Sequence, residues 1–124
     1  MSYQPILTQA GLNAAVSASD AGIKLLITHV ALGDAGYTPR RNAVALTNER
    51  VRVAVTDGRE LGDGLLAVNT LIESTESFPV NEVGFFSNSV LVALWSHTSN
   101  TLLYITPKTR LVQQFDLQLS DVPP

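Results

Sequence analysis

Val80-Asn81-Glu82-Val83-Gly84-Phe85-Phe86, then Ser87-Asn88-Ser89, then Val90-Leu91-Val92-Ala93-Leu94-Trp95-Ser96 is the stretch on which the reading of the fold turns. Two apolar runs of strand length flank three small polar residues. The segment therefore reads as two antiparallel strands joined by a hairpin loop, with Pro79 opening the first. Phe85 and Phe86 are consecutive, and side chains on a strand alternate between faces, so the two cannot both point into one core. One of them is expected to meet a second layer or a partner.

Outward from this hairpin the pattern stays β-rich. Thr101 to Thr106 is a shorter strand candidate. In the last strand Leu111, Gln113, Phe115, Leu117 and Leu119 share one face, and Arg110, Val112, Gln114, Asp116 and Gln118 the other, before Pro123-Pro124 ends it. Toward the N-terminus, Leu65 to Ile72 follows the turn signal Gly62-Asp63-Gly64. It is apolar on both faces, as expected of a central strand covered on both sides. Val51, Val53 and Val55 alternate with Arg52, Ala54 and Thr56, in a strand expected to end near Asp57-Gly58. Tyr37 to Leu46 contains Pro39, Arg40, Arg41 and Asn42 and has no sustained period, so it reads as a surface loop. Before it, Lys24 to Leu32 is a strand stopped by Gly33-Asp34-Ala35-Gly36, a turn in which glycine allows positive φ and Asp34 caps the backbone.

Helical spacing is convincing in one place only. Leu12, Ala15, Val16 and Ser19 fall on one face of an Ala-rich segment, which predicts a short amphipathic helix from about Thr8 to Ser19, with Thr8 as N-cap and Gly22 as its C-terminal stop. The expected fold class is thus α+β: one short N-terminal helix packed with a mainly antiparallel β-sheet or sandwich of six to seven short strands. At 124 residues, 1–124 is expected to be a single domain.

Composition narrows the function classes. Charged residues make up 15% and hydrophobic ones 45%, against about 25% charged in a typical soluble domain. That balance suits a subunit whose exterior is partly buried against partners. Eight Lys and Arg against eleven Asp and Glu give a net charge of −3, and the basic residues are scattered, so nucleic acid is not an expected partner. There is no cysteine, which removes disulfides, thiolate chemistry and cysteine-ligated metals. No apolar stretch approaches the roughly 20 residues that span a bilayer, and Met1-Ser2-Tyr3-Gln4-Pro5 has no signal-peptide pattern, so no membrane insertion is expected.

Catalytic chemistry finds little support. His29 and His97 lie in or at the end of strands with no acid at a site-forming spacing, and neither a His-Glu-x-x-His motif nor a Gly-x-Ser-x-Gly elbow is present. Gly33 to Gly36 lacks the features of a P-loop or an EF-hand. Glu73, Glu76 and Glu82 read as a loose, solvated acidic group. No catalytic residue, metal site or cofactor is expected. Arg40-Arg41 is the one local basic spot, in a loop that an acidic partner surface could reach.

Ile6-Leu7-Thr8-Gln9-Ala10-Gly11 opening an Ala-rich helix, followed by Ile27-Thr28-His29-Val30-Ala31-Leu32-Gly33-Asp34-Ala35-Gly36, resembles the start of the N-terminal phage tail-collar fibre domain. This domain begins the tail fibres of many contractile-tailed phages and R-type pyocins. Asn81-Glu82-Val83-Gly84-Phe85-Phe86 is similar to the family's Arg-Glu-hydrophobic-Gly-Leu-Tyr stretch, and Leu91 to Ser96 to the hydrophobic strand after it. Glu76-Ser77-Phe78-Pro79 stands where the family commonly has Gly-Gly-Phe-Trp. The resemblance runs from Ile6 to about Leu119. It implies a structural virion protein that attaches a fibre to the tail baseplate, commonly as a homo-trimer, with baseplate proteins as further partners. The chain is then either the attachment module of a longer fibre or a short adaptor, made in the host cytoplasm and carried in the virion tail. On physical grounds the expected contact residues are Tyr3, Ile6 and Leu7, the loop residues Tyr37, Arg40 and Arg41, and Phe85 or Phe86. The alternative is a carbohydrate- or receptor-binding module using Trp95 beside His97 and Tyr104.

Overall fold

The computed structural model describes residues 5–20, 27–62, 65–98, 101–107 and 110–118. Among these described residues nine strands and one helix follow in the order β1 (Ile6–Leu7), α1 (Gln9–Asp20), β2 (His29–Gly33), β3 (Glu49–Gly62), β4 (Leu65–Glu73), β5 (Phe78–Val80), β6 (Glu82–Ser87), β7 (Val90–Ser96), β8 (Leu103–Ile105) and β9 (Arg110–Gln118). Seven strands form one antiparallel sheet in the order β1-β7-β6-β2-β3-β4-β9, and β5 pairs with β8 in a second, two-stranded sheet. The architecture is therefore mostly β rather than α+β, and the helix is a minor element of 12 residues.

The hairpin that opened the reading lies in the middle of one half of the large sheet. Ser87 pairs with Val90, so Asn88 and Ser89 form the turn, and Asn88 takes φ 54°, a left-handed value that Asn tolerates better than most residues. Its N–H donates to Thr28 Oγ1 at 2.7 Å. Across β6 and β7 the register shifts: Phe85 faces Ala93 and Phe86 faces Leu91, leaving Val92 as the extra residue of a bulge. The bulge changes which side the following residues face. Ala93 joins the main core with Val30, Leu32, Val83 and Phe85, whereas Leu91 and Leu94 join a second cluster with Ala31, Phe86 and Leu46.

The bulge is also where α1 is attached. Val92 O accepts from Thr8 N–H at 2.9 Å, and the Thr8 hydroxyl lies 2.5 Å from Leu91 O, to which it donates. The same hydroxyl accepts from Gly11 N–H at 2.9 Å, the N-cap bond expected of Thr8. A Cβ on Gly11 would lie 2.2 Å from Val92 O, so glycine is what lets the helix approach the strand this closely. The helix follows its expected range within one residue; Gly22 lies outside the described residues.

Three expectations about strands change. Val80 to Phe86 is not one strand, because the chain breaks at Asn81, whose N–H donates to Gly33 O while its side chain donates to Asp34 O at 2.9 Å. Val80 then pairs with Leu103 and Glu82 with Gly33 and Ser96, so β5 and β6 serve different sheets. β3 does not end near Asp57-Gly58. Its first part pairs with β2 and its second with β4, and Asp57 and Gly58 lie opposite Asn69 and Val68 after a register shift. The strand expected from Lys24 begins at His29 among the described residues; Lys24 to Leu26 lie outside them, as do Asp63-Gly64, Leu119 and Pro123-Pro124. β4 lies inside the sheet, between β3 and β9, but the expected cover on both sides is not seen: Val68, Thr70 and Ile72 on one face are buried, and Asn69 and Leu71 on the other are half-buried.

Each face of the β2–β6–β7 region is covered. Phe78 and Val80 of β5 and Ile105 of β8 close the main core over one face. The loop between β2 and β3 closes the other, through Leu46, Ala43 and Tyr37.

Candidate docking surface

Residues 34–48 form the long irregular connection between β2 and β3, and its shape depends on one buried carboxylate. Glu82 is 0% exposed. Its Oε1 accepts from Thr47 N–H at 2.8 Å and from the Tyr37 hydroxyl at 2.7 Å; its Oε2 accepts from Asn48 N–H at 2.8 Å and Ala35 N–H at 3.2 Å. Four donors from both ends of the loop thus converge on a single side chain at the start of β6. A buried carboxyl group is tolerated only when its oxygens are satisfied in this way. Glu82 is accordingly not part of a solvated acidic group, as its sequence neighbours suggested, whereas Glu73 and Glu76 are exposed.

Gly33 makes room for the arrangement. A Cβ there would lie 2.4 Å from Glu82 Oε2 and 2.5 Å from Asn48 O. Space, not positive φ, is the reason for glycine at this position. The Tyr37 phenol is held well above its ordinary value, first by burial and then by its bond to Glu82, so it remains a neutral donor to the carboxylate. Ser96 adds further anchors: its hydroxyl accepts from Tyr37 N–H at 3.1 Å and lies 2.8 Å from Asn81 O. At the loop's base Asn48 donates to Asp34 Oδ1 at 2.5 Å, and Arg50 pairs with Asp34 at 2.8 Å and also with Glu76.

What the loop presents outward is small, basic and partly apolar. Arg40, Arg41, Asn42, Val44 and Ala45 are exposed, Val44 to 71%. Between positions 35 and 48 the sequence has no acidic residue. Beside these residues lies a depression of about 510 Å3, bordered by Tyr37, Thr38, Arg40 and Thr47 among others.

The expected contact residues fall into three groups. Arg41 donates from Nη1 to Leu7 O at 3.0 Å, and Arg41 O accepts from Gln9 N–H at 2.6 Å. The N-terminal segment and the 37–41 loop, read separately in the sequence, are therefore one continuous surface. Within it Leu7 is buried, Ile6 half-buried opposite Leu94, and Arg40 exposed; Tyr3 lies outside the described residues. Phe85 and Phe86 are 0% and 2% exposed. Phe85 enters the main core and Phe86 the second cluster, where the Arg52 guanidinium lies 3.9 Å over its ring. The second layer that the pair required is supplied by the chain itself, so neither ring offers surface to a partner.

Of the residues weighed for other chemistry, His29 lies on β2, Trp95 and His97 at the end of β7 and Tyr104 on β8. His29 Nδ1 lies 2.9 Å from Thr28 Oγ1. Trp95 packs against the main core, and Tyr104, at 71% exposure, stands on β8. Among the described residues no three His, Cys, Asp or Glu gather as metal ligands would, and no helix is long and apolar enough to cross a membrane.

The family model of the phage tail-collar fibre protein, N-terminal, matches residues 1–105. The chain belongs to that family. No curated protein and no solved structure matches it. In this tail-collar fibre domain the matched residues run from β1 through β8, and the Glu82-Val83-Gly84 stretch that resembles the family pattern is the one holding the loop. The family is a structural one of phage tail fibres and not an enzyme family.

Proposed function

We propose that the chain is the attachment domain of a phage tail fibre, or a short fibre adaptor, which docks the fibre to the tail baseplate through subunit interfaces. Its partners are other copies of the fibre chain, in a homo-trimer, and baseplate proteins; it is made in the host cytoplasm and resides in the virion tail. The observation that carries this reading, beyond family membership, is the surface formed by the 34–48 loop and β1. An irregular loop fixed by four bonds to a buried carboxylate loses little conformational entropy when a partner binds it, which favours affinity. The exposed Val44 and Arg40 supply an apolar contact and a charge on that rigid frame. For the receptor-binding alternative Tyr104 is exposed, while Trp95 is half-buried against the main core.

The test uses tails assembled without their fibres. The purified chain is expected to cosediment with them and to block later addition of full-length fibre, and Val44→Asp combined with Arg40→Glu to abolish both effects while the variant stays folded. Cosedimentation unaffected by the double substitution would move the interface elsewhere. Failure to bind tails, together with binding to whole host cells, would replace docking by receptor recognition.

A further inference from the structure

Charge is distributed very unevenly between the 34–48 loop and the rest of the chain. All eleven Asp and Glu lie outside positions 35–48, where the only charges are Arg40 and Arg41. The acids that flank or anchor the loop are already engaged: Asp34 by Asn48 and Arg50, Glu49 by Arg52, and Glu82 by its four donors. Among the described residues the exposed Arg40 guanidinium pairs with no carboxylate. Arg41 is exposed as well, and its bond to Leu7 O at 3.0 Å holds it in place against β1. Arg40 borders the depression beside the loop together with Ala43 and Ala45, and no acidic residue lines it.

From this charge pattern we infer that the occupant of the surface is an acidic segment of a baseplate protein, with a carboxylate in the fork of Arg40 and a neighbouring aliphatic side chain against Val44. The inference rests on the docking reading above and adds the chemistry of the partner. A guanidinium presents its N–H groups in a planar fork that matches the two oxygens of a carboxylate, and such charge-assisted pairs are stronger than neutral ones. The apolar part of the contact is supplied by Val44, which is 71% exposed, with Ala43 and Ala45 beside it. Because the loop is fixed through Glu82 and Arg41 before any partner arrives, little ordering is left to oppose the pairing. Nucleic acid fits the surface less well: two arginines on a chain of net charge −3 do not make the concentrated positive charge that a run of phosphates needs.

The test measures binding of the purified chain and its folded variants to tails assembled without fibres. Binding of the parent chain is expected to weaken as salt is raised from about 0.1 M to about 1 M, which shortens the electrostatic screening length from about 10 Å to about 3 Å. Arg40→Glu, which sets like charges together, should weaken binding about tenfold or more, and Arg40→Lys, which keeps the charge and loses the fork, by less. Arg40→Gln and Ala54→Glu change the net charge equally. Only the first should weaken binding and flatten its salt dependence, since Ala54 is exposed about 20 Å along β3 from the end of the loop. Binding that ignores both salt and Arg40→Glu would leave docking intact and overturn the acidic partner. Equal losses from Arg40→Gln and Ala54→Glu would reduce the effect to net charge and overturn it as well. If Arg40→Glu lowers the mass of the chain's own assembly in light scattering, the occupant is a second copy and not a baseplate protein. A parent chain that binds tails at no salt concentration removes the docking reading itself, and this inference with it.

Discussion

The two halves of the large sheet are held in different ways. In the half containing β1, β7, β6 and β2, shape depends on side chains: a bulge at Val92 anchored by Thr8, a glycine at position 11 against the strand backbone, and a carboxylate collecting four donors from a loop. In the half formed by the end of β3 with β4 and β9, the most regular feature is a backbone ladder of nine successive pairs between β4 and β9, with Val68 and Ile72 of β4 reaching the main core. A backbone ladder is indifferent to most substitutions, whereas a convergent side-chain network fails at its centre. Single substitutions should therefore act very unequally on the two halves.

The largest effect is expected from Glu82→Ala, which takes the shared acceptor from three N–H groups and a hydroxyl and empties the buried space that the side chain fills. A loss of about 4 kcal/mol or more is expected in denaturant unfolding, and amide exchange should accelerate at Ala35, Thr47 and Asn48 while the β4–β9 ladder stays protected. Equal loss of protection in both halves would erase the distinction drawn above. Gly11→Ala comes next, because its Cβ would collide with Val92 backbone atoms that cannot rotate away. About 2–3 kcal/mol is expected, with α1 rather than the sheet losing protection.

Tyr37→Phe removes one donor and should cost about 1–2 kcal/mol near neutral pH. Its pH dependence is more telling. The folded phenol titrates above its ordinary value of 10.0, so the stability it contributes is complete below that pH. As pH rises further, the unfolded chain releases the proton first and stability falls. The parent chain should thus lose stability more steeply above about pH 10 than Tyr37→Phe, and identical slopes would show that Tyr37 does not govern this range. Arg50→Ala, which breaks partly exposed pairs to Asp34 and Glu76, should cost less than about 1 kcal/mol, and less still in high salt. Thr56→Ala, in the ladder half, removes an exposed bond to Asn69 O and should stay within about 0.5 kcal/mol.

How far the sequence could be read follows the same division. The β6–β7 hairpin, the alternation of β3, the run of β4 and the N-cap at Thr8 are local patterns, and each is present, although β6 starts at Glu82 and β3 runs on to Gly62. The position of Glu82 is not local: its donors come from positions 34 to 47 residues earlier. Beside Glu73 and Glu76 it reads as one of three surface acids, although a lone acid between Val80 and Val83 in an apolar run was the available signal. The parity of Phe85 and Phe86 correctly required two layers, but alternation cannot tell a layer within the chain from one outside it. Asp57-Gly58 looked like a strand end because turn-forming residues occur at register shifts as well as at turns.

β3 is common to both halves, pairing with β2 through Glu49–Ala54 and with β4 from Val55 onward. In mechanical terms it is a lap splice. Hydrogen bonds in an antiparallel ladder run across the strands, so tension along β3 loads both of its ladders in shear, and the bonds of each resist together instead of opening one by one. A pull delivered at the far end of the β3–β4–β9 ribbon reaches the Glu82-braced half along the direction in which the sheet is strongest.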